Sequence, residues 1–111
     1  MQVTTETFGD VLVAHTPDEL TEDTVSVFFG TLDAAVEGGQ SNIVLQMDAT
    51  DFYDSAGLTR LVELHETLLE QSGNVKLCGL VDVGRKVFEV TRLDQRFDIF
   101  ESVIDAVGSF Q

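Results

Sequence analysis

The first 59 residues of this chain contain no lysine or arginine, although they carry eleven aspartate and glutamate residues. All six basic residues lie between Arg60 and Arg96, and the formal net charge of the 111 residues is −14. Nucleic-acid backbones are bound by clustered lysine and arginine side chains. The scarcity of positive charge therefore argues against a nucleic-acid partner and predicts an acidic, self-repelling surface.

Cysteine is nearly absent as well. Cys78 has no second cysteine with which to form an internal disulfide, so nothing indicates an oxidising compartment.

No charged-then-apolar leader opens the chain, and no apolar run approaches the ~18 residues of a membrane span. We therefore expect a cytoplasmic protein with no membrane partner. Its length and its 43% hydrophobic content suit one domain, residues 1–111.

Strand-like and helix-like segments alternate along the chain. Residues 3–8 and 10–15 predict a hairpin, and apolar runs predict further strands over 42–47, 74–80 and 97–100. Helical segments follow the last four of these five strands. The order β-β-α-β-α-β-α-β-α implies an α/β fold with a mostly parallel sheet of four to five strands, an antiparallel entry strand and about four helices.

Apolar periodicity also predicts which helix faces turn inward. In the first helix the inward positions are Val25, Phe28, Phe29, Leu32, Ala35 and Val36, with Thr21 or Asp23 as the cap and Gly38 and Gly39 at the end. In the second helix, which ends at Gly73, they are Leu58, Leu61, Val62, Leu68 and Leu69. In the third, capped by Asp82, they are Val83, Val87, Val90 and Leu93.

Residues 54–58, DSAGL, lie where a strand has ended and a helix is about to begin. Open α/β sheets place their working residues on loops at this end of the strands. One interpretation makes Ser55 a plain helix cap, because serine oxygens accept bonds from free N–H groups of the first turn. However, Gly57 is unfavourable in a helix, and the small Ala56 and Gly57 would let another molecule approach the backbone closely.

Enzymatic interpretations of Ser55 fit poorly. The nucleophile elbow requires glycine two residues before the serine, and Tyr53 is there. His65, at an inward or boundary helix position, and His15, at a strand end, are more typical of structural histidines than of a general base. Phosphate-binding loops such as GxxxxGK[ST] are missing. We therefore expect no catalytic residue and no enzymatic activity.

The nearby carboxylates of Asp48, Asp51 and Asp54 suggest a magnesium site, because Mg²⁺ prefers oxygen ligands. This acidic stretch is similar to the one in response-regulator receivers, which also need an acidic pair after the first strand and a lysine after the last. Neither is present here, so we expect no metal and no cofactor. The remaining chemistry for Ser55 is phosphorylation by another protein. A helix N-terminus tolerates the charge of about −1.5 to −2 that a phosphate group brings.

From Asn42 to Val107 the chain resembles the STAS domain and, within it, the bacterial anti-sigma-factor antagonists. The resemblance rests on the apolar strand NIVLQM, an acidic link, the DSAGL turn, a helix ending in glycine, the apolar strand NVKLCGL, and a helix that runs into RLDQRFDIF. It implies a STAS-like fold for the single domain.

The resemblance also implies partners and a mechanism. The unphosphorylated antagonist would bind an anti-sigma factor that is also a serine-protein kinase, and so release the sigma factor. The kinase, which holds the ATP, would phosphorylate Ser55 and the complex would dissociate, until a PP2C-type phosphatase removes the phosphate. The partner-binding residues implied are Asp54, Ser55, Ala56, Gly57 and Leu58, with Asp54 orienting the hydroxyl or the partner.

Two points stay open at this stage. Thr21 stands where the family often has an aspartate of its partner surface, so it is a further partner-binding candidate, a helix cap or a second modified position. An alternative function is a constitutive STAS subunit of a stressosome-like assembly or of a lipid or anion transporter. The sigma factor and the output pathway cannot be read from the residues.

Overall fold

The computed structural model describes residues 2–111, in which strands and helices alternate. The strands are β1 (Thr5–Phe8), β2 (Val11–His15), β3 (Glu19–Leu20), β4 (Asn42–Gln46), β5 (Phe52–Tyr53), β6 (Asn74–Cys78) and β7 (Ile99–Phe100). The α-helices are α1 (Val25–Glu37), α2 (Ser55–Glu70), α3 (Asp82–Val90) and α4 (Val103–Gly108), and a short 3-10 helix covers Leu93–Gln95.

Five strands form one mixed sheet in the order β1-β2-β4-β6-β7. β1 and β2 are antiparallel and joined by a tight turn in which Gly9 has a φ of +61°, a conformation that favours glycine. The pairs β2–β4, β4–β6 and β6–β7 are all parallel. The predicted fold class, a mostly parallel sheet with an antiparallel entry strand and four helices, is confirmed.

The two faces of the sheet are covered unequally. Neighbouring residues of a strand point to opposite faces, so Leu12 and Ala14 of β2 join a larger core while Val11 and Val13 join a smaller one. Helices α1, α2 and α3 cover the larger core, and α4 with the chain end covers the smaller. The inward face predicted for α1 is confirmed: Phe28, Phe29 and Leu32 are fully buried, and Val25, Ala35 and Val36 pack against them.

Lys76 is a nearly buried cation on the smaller-core face of β6, with its side chain 12% exposed. Its Nζ donates to the hydroxyl of Ser109 at 2.9 Å and to the carbonyl of Ser109 at 3.2 Å. The same nitrogen lies 4.4 Å from the ring centroid of Phe110. Burying a charge is costly unless such partners compensate it. Lys76 therefore fastens the end of the chain to the sheet.

The third helix turns a different face to the core from the predicted one. Val83 and Val90 are exposed, whereas Gly84 and Phe88 are buried and Val87 is partly buried. Valines on both sides of a nine-residue helix offer two competing apolar stripes. The stripe with the aromatic ring packs inward because Phe88 buries more apolar surface than a valine does.

Three smaller predictions about the helices were also wrong. Val81, not Asp82, precedes α3 as its N-cap, and Asp82 is the first helical residue. Leu93 belongs to the separate 3-10 helix, although it packs against the core. In α2, Leu69 is exposed and Leu64 is buried, because the buried stripe runs through Leu61, Leu64, His65 and Leu68 at helical spacing and leaves Leu69 outside it.

His65 occupies the inward position that we predicted for it on α2. Its ring stacks on Phe97 with 4.6 Å between the centroids, and the residue is buried. Burial lowers the pKa of His65, and the nearby guanidinium of Arg96 lowers it further. The neutral ring is therefore the form that the folded protein favours.

This histidine predicts a pH dependence of stability. A lowered folded-state pKa means that the unfolded chain binds the proton more readily, so the contribution of His65 is lost as pH falls below about 6.5. We expect the wild type to lose unfolding free energy relative to His65→Gln between about pH 8 and pH 5.5, measured by urea unfolding. The acidic residues titrate in both proteins and cancel. If the difference in unfolding free energy between the wild type and His65→Gln were the same at every pH, the prediction would be contradicted.

Candidate functional site

A second, two-stranded sheet lies beside the carboxyl ends of the main strands. In it β3 and β5 pair in parallel, with Leu20 opposite Tyr53. The sequence did not predict either strand, since two residues are too few to show a period. Tyr53 then packs edge-on against Phe88, 6.0 Å between centroids, and burial raises its pKa to about 12. In this small sheet β5 lies between β3 and α3, and the start of α2 lies against β3.

Two buried threonines hold the loops that carry this small sheet. The hydroxyls of Thr16 and Thr50 are 2.6 Å apart, and the Thr50 hydroxyl also donates to the carbonyl of Pro17. Both threonines are nearly inaccessible to solvent. The backbone N–H of Asp51 adds a bond of 3.0 Å to the carbonyl of Asp18. The loop after β2 and the loop after β4 are therefore joined as one unit.

Asp54 is the N-cap of α2. Its Oδ1 accepts the N–H of Gly57 at 2.9 Å, as a capping aspartate does, and its Oδ2 accepts the N–H of Glu22 at 2.9 Å. These bonds, first the one from Glu22 and then the one from Gly57, lower the pKa of the Asp54 carboxyl. The carboxylate thus ties the start of α2 to the loop before α1. The expected role of Asp54 in orienting the Ser55 hydroxyl or the partner stays a prediction beside this structural one.

Ser55 is the first residue of α2 and is exposed. The interpretation of Ser55 as a plain cap was wrong, because the neighbouring carboxylate of Asp54 takes the capping bonds and is a stronger acceptor. Among residues 2–111, no side chain or backbone group forms a hydrogen bond with the Ser55 hydroxyl. The hydroxyl is therefore free to react or to contact another molecule.

Gly57 does not open the site to a partner, contrary to our expectation. The residue is buried, and a Cβ built on it would overlap the carbonyl oxygen of Leu20 in β3. Glycine is required here because α2 crosses β3 at backbone distance. Its neighbours Ala56 and Leu58 are partly buried, so they offer less surface to a partner than Ser55 does.

Thr21 is buried rather than part of an open partner surface. Its hydroxyl accepts the N–H of Asp23 at 3.3 Å, and its carbonyl accepts the N–H groups of Thr24 and Val25. Thr24, not Thr21 or Asp23, is the N-cap of α1, and its hydroxyl donates to the carbonyl of Glu19 instead of capping the helix. Thr21 therefore shapes the loop that Asp54 holds.

An open groove of about 470 Å³ begins at Ser55 and runs between α2 and the segment after α3. Its apolar floor comes from Leu58, Val62 and Leu93, and its polar rim from Thr59, Glu63, Glu66 and Thr91. The sequence predicted Leu58 and Val62 as core, so this groove was missed. Apolar residues on the outer flank of a helix stripe are the signal that could have indicated it.

Four of the six basic residues lie on α3 and the segment after it. Arg85, Lys86, Arg92 and Arg96 are exposed on α3 and the segment after it. Arg96 pairs with Glu66 at 3.3 Å and Lys86 with Glu89 at 3.7 Å, but Arg92 forms no ion pair with any residue between 2 and 111. The groove is therefore lined by acidic side chains on α2, Glu63 and Glu66, and by the uncharged Thr91 and Leu93 opposite them.

Comparison with known sequences decides the family. The profile of the STAS domain matches residues 2–106. The chain belongs to the STAS domain family. A Bordetella bronchiseptica protein, BtrV, provisionally described as an anti-sigma factor antagonist, is 25% identical over 111 residues, which cover all of this chain and 96% of that protein.

Solved structures of other proteins have the same fold. A Thermotoga maritima protein, provisionally an anti-sigma factor antagonist, aligns with a TM-score of 0.88 at 19% identity, over 96% of this chain and 92% of its own. The unphosphorylated antagonist SpoIIAA aligns with a TM-score of 0.83 at 19% identity, over 98% and 96%. A sulfate transporter family protein of Wolinella succinogenes also aligns, with a TM-score of 0.78 at 16% identity, over 91% and 84%.

Within residues 2–111 no helix has both the length and the apolar character needed to cross a bilayer. In the same stretch no three histidine, cysteine, aspartate or glutamate side chains converge as a metal site would require. Cys78 is buried, and burial raises its pKa to about 11, which disfavours the reactive thiolate.

The close approach at Gly57 predicts a large cost for one methyl group. Gly57→Ala should destabilise the STAS domain by about 1–3 kcal/mol, because the added Cβ forces α2 away from β3. Gly30→Ala is the matched control, since Gly30 is exposed inside α1 with no atom near the added Cβ. That change should stabilise by up to about 1 kcal/mol. Urea unfolding of both variants measures this, and equal effects would contradict it.

The bridge made by Asp54 gives a second stability prediction. Asp54→Ala removes both acceptors and should lower the melting temperature by about 3–8 °C, whereas Asp54→Asn keeps one carbonyl oxygen and should lose less. Hydrogen exchange should locate the loss, with faster exchange at the amides of Glu22 and Gly57, which lose their acceptor. Unchanged exchange at Glu22 in Asp54→Ala would show that the bridge does not hold this loop.

Proposed function

We propose that this STAS domain is an anti-sigma-factor antagonist whose binding is switched by phosphorylation of Ser55. Unphosphorylated, it binds an anti-sigma factor that is also a serine-protein kinase, and the sigma factor is released. When Ser55 is phosphorylated, the antagonist dissociates from that partner. The proposal is supported by the family and by the similarity to BtrV of Bordetella bronchiseptica, which is provisionally described as an anti-sigma factor antagonist.

One observation carries the assignment to Ser55. Its hydroxyl is exposed and unbonded at the start of a 16-residue helix, because Asp54 has taken over the capping. A phosphoryl group can therefore be added without breaking any hydrogen bond of the fold. The free N–H groups and the dipole of the helix start favour the added negative charge. SpoIIAA, which shares the fold, has structures in an unphosphorylated and in a phosphorylated form.

The groove that begins at Ser55 is the surface on which we place the partner. Its apolar floor and polar rim have the composition of a protein interface, in which a dry centre is surrounded by solvated residues. Ser55 lies at one end of this groove. The same contact would therefore bring the kinase's ATP near the hydroxyl and be broken by the phosphate once it is attached.

The chemistry belongs to the partners rather than to this chain. In the kinase step, the Ser55 oxygen bonds to the γ-phosphorus of ATP, the bond to ADP breaks, and the hydroxyl proton passes to a base of the kinase. A PP2C-type phosphatase would return the hydroxyl by hydrolysis. Charge then decides the binding state, since a partner that covers Ser55 must strip water from the phosphate, and an unpaired buried charge costs at least about 2–5 kcal/mol.

The first test is phosphate transfer to the purified protein. The kinase is the histidine-kinase-like ATPase encoded nearest this gene, incubated with ATP and the STAS domain. Mass spectrometry should place one phosphate on Ser55, and Ser55→Ala should lose it. Thr59→Ala is the matched control, because Thr59 is an exposed hydroxyl of the same groove and should be dispensable. Wild-type phosphorylation of Ser55→Ala would refute the assignment.

The second half of the same test asks whether charge at Ser55 controls binding. Ser55→Asp should weaken the complex with this kinase at least about thirty-fold in calorimetric titration, with a nearly unchanged melting temperature. Thr31→Ala, at an exposed threonine of α1 outside the groove, should bind like the wild type. Tight binding by Ser55→Asp would favour a constitutive subunit instead. That alternative has one observation in its favour, the shared fold of the Wolinella succinogenes sulfate transporter family protein.

A further inference from the structure

The segment that carries α4, Ser102–Gln111, is joined to the rest of the molecule by few bonds. Every backbone-to-backbone hydrogen bond that it forms among residues 2–111 has both partners inside the segment. The last backbone bond before it runs from the N–H of Gly79 to the carbonyl of Phe100 in β7. The next two residues are exposed and form a bend. The α4 segment therefore leaves the sheet at an exposed bend.

This segment covers the smaller core with little buried surface of its own. Of its ten residues only Ala106 is buried, while Val103, Val107 and Phe110 are partly buried. Six residues are too few for a helix that is stable in isolation, so α4 depends on these contacts for its shape. Beneath it lie the four buried sheet residues of the smaller core: Val11, Val13, Val44 and Cys78.

One side chain supplies the polar link between the α4 segment and the sheet. Lys76 donates to the hydroxyl and to the carbonyl of Ser109, and its ammonium lies over the ring of Phe110. In the described chain, residues 2–111, no other hydrogen bond or ion pair joins the segment to the remainder. The ammonium would regain its hydration if the segment moved away, which recovers part of the cost of breaking these bonds.

We propose that the α4 segment is a hinged cover, held closed by Lys76, which detaches from the sheet while the rest of the domain stays folded. Detachment breaks the two hydrogen bonds to Ser109 and the contacts of the smaller core, but leaves the strand ladder and the larger core intact. The freed residues gain conformational entropy, which offsets the lost contacts. Such an opening costs less free energy than global unfolding, since most of the buried surface stays buried.

The larger-core face of the sheet is closed more firmly. Its helix α2 has sixteen residues and buries Leu61, Leu64 and Leu68 in the larger core. Asp54 also bonds the start of α2 to the loop before α1. We therefore expect the two faces of one sheet to open differently: the smaller-core face by detachment of the α4 segment, and the larger-core face by unfolding of the domain.

Opening of the cover changes the surface that the domain presents. It exposes the valines of β2 and β4 that form the smaller core, with the amine of Lys76 beside them. No residue of the α4 segment lines the groove that begins at Ser55. The proposal is therefore independent of the function assigned to Ser55, and a failed phosphorylation test would leave it untouched.

Cys78 reports the opening, because it is the only cysteine of the sequence and lies beneath the α4 segment. Burial raises the pKa of its thiol to about 11, so the disulfide reagent DTNB at about pH 8 should react with open molecules only. We expect the labelling rate of the folded full chain to rise with urea less than about half as steeply as global unfolding does, because this slope scales with the surface exposed.

A matched variant places the thiol under the opposite face of the same strand. Cys78→Ala combined with Val75→Cys moves it along β6 from the smaller core to the larger one. This thiol should react only through global unfolding and show its full urea dependence. Equal urea dependence of the two thiols would overturn the proposal.

The role of Lys76 is tested in the same assay. Lys76→Ala should raise the labelling rate of Cys78 about tenfold or more, because both bonds to Ser109 are lost. Lys86→Ala, at the exposed lysine of α3, should leave the rate unchanged. Hydrogen exchange of the wild type is a second measurement that needs no variant, and amides of α4 should exchange faster than those in the middle of α2. An unchanged rate in Lys76→Ala, or equal exchange in the two helices, would contradict the proposed cover.

Discussion

The candidate site depends on one carboxylate that bridges two parts of the chain. Asp54 accepts an N–H from its own helix and another from Glu22, which is 32 residues earlier in the sequence. The bridge fixes where α2 begins and holds the loop before α1 beside it. It also releases Ser55 from capping. The free hydroxyl at the helix start is therefore a consequence of the neighbouring residue and not of serine's own preference.

Backbone contacts at both ends of α2 reinforce this arrangement. Gly57 in the first turn lies against Leu20, and Gly73 just after the helix lies against Ser41 in the same way, so a Cβ at either glycine would overlap a carbonyl. The helix is thus positioned by main chain at each end and by the buried leucines between them. Such positioning keeps an exposed first turn in place although solvent surrounds it.

Long periodic segments were predictable, and short or competing signals were not. The core face of α1 followed from its spacing, because six apolar residues define only one stripe. β3 and β5 have two residues each and show no period, so the small sheet that carries the site could not be expected. At residues 54 and 55, two good capping residues are adjacent, and the choice between them depends on the N–H of Glu22. That contact exists only after the chain has folded.

Lys76 has a practical consequence for chemical work on this protein. The chain has two lysines, and the side chain of Lys76 is only 12% exposed, with its amine in contact with Ser109 and Phe110, which hinders the approach of bulky reagents. Lys86 on α3 is 72% exposed. Amine-reactive dyes or resins would therefore couple through Lys86 or the amino terminus and leave the acidic first half of the chain without a side-chain attachment point. On a surface coupled through Lys86, the acidic first half of the chain would therefore carry no side-chain link to that surface.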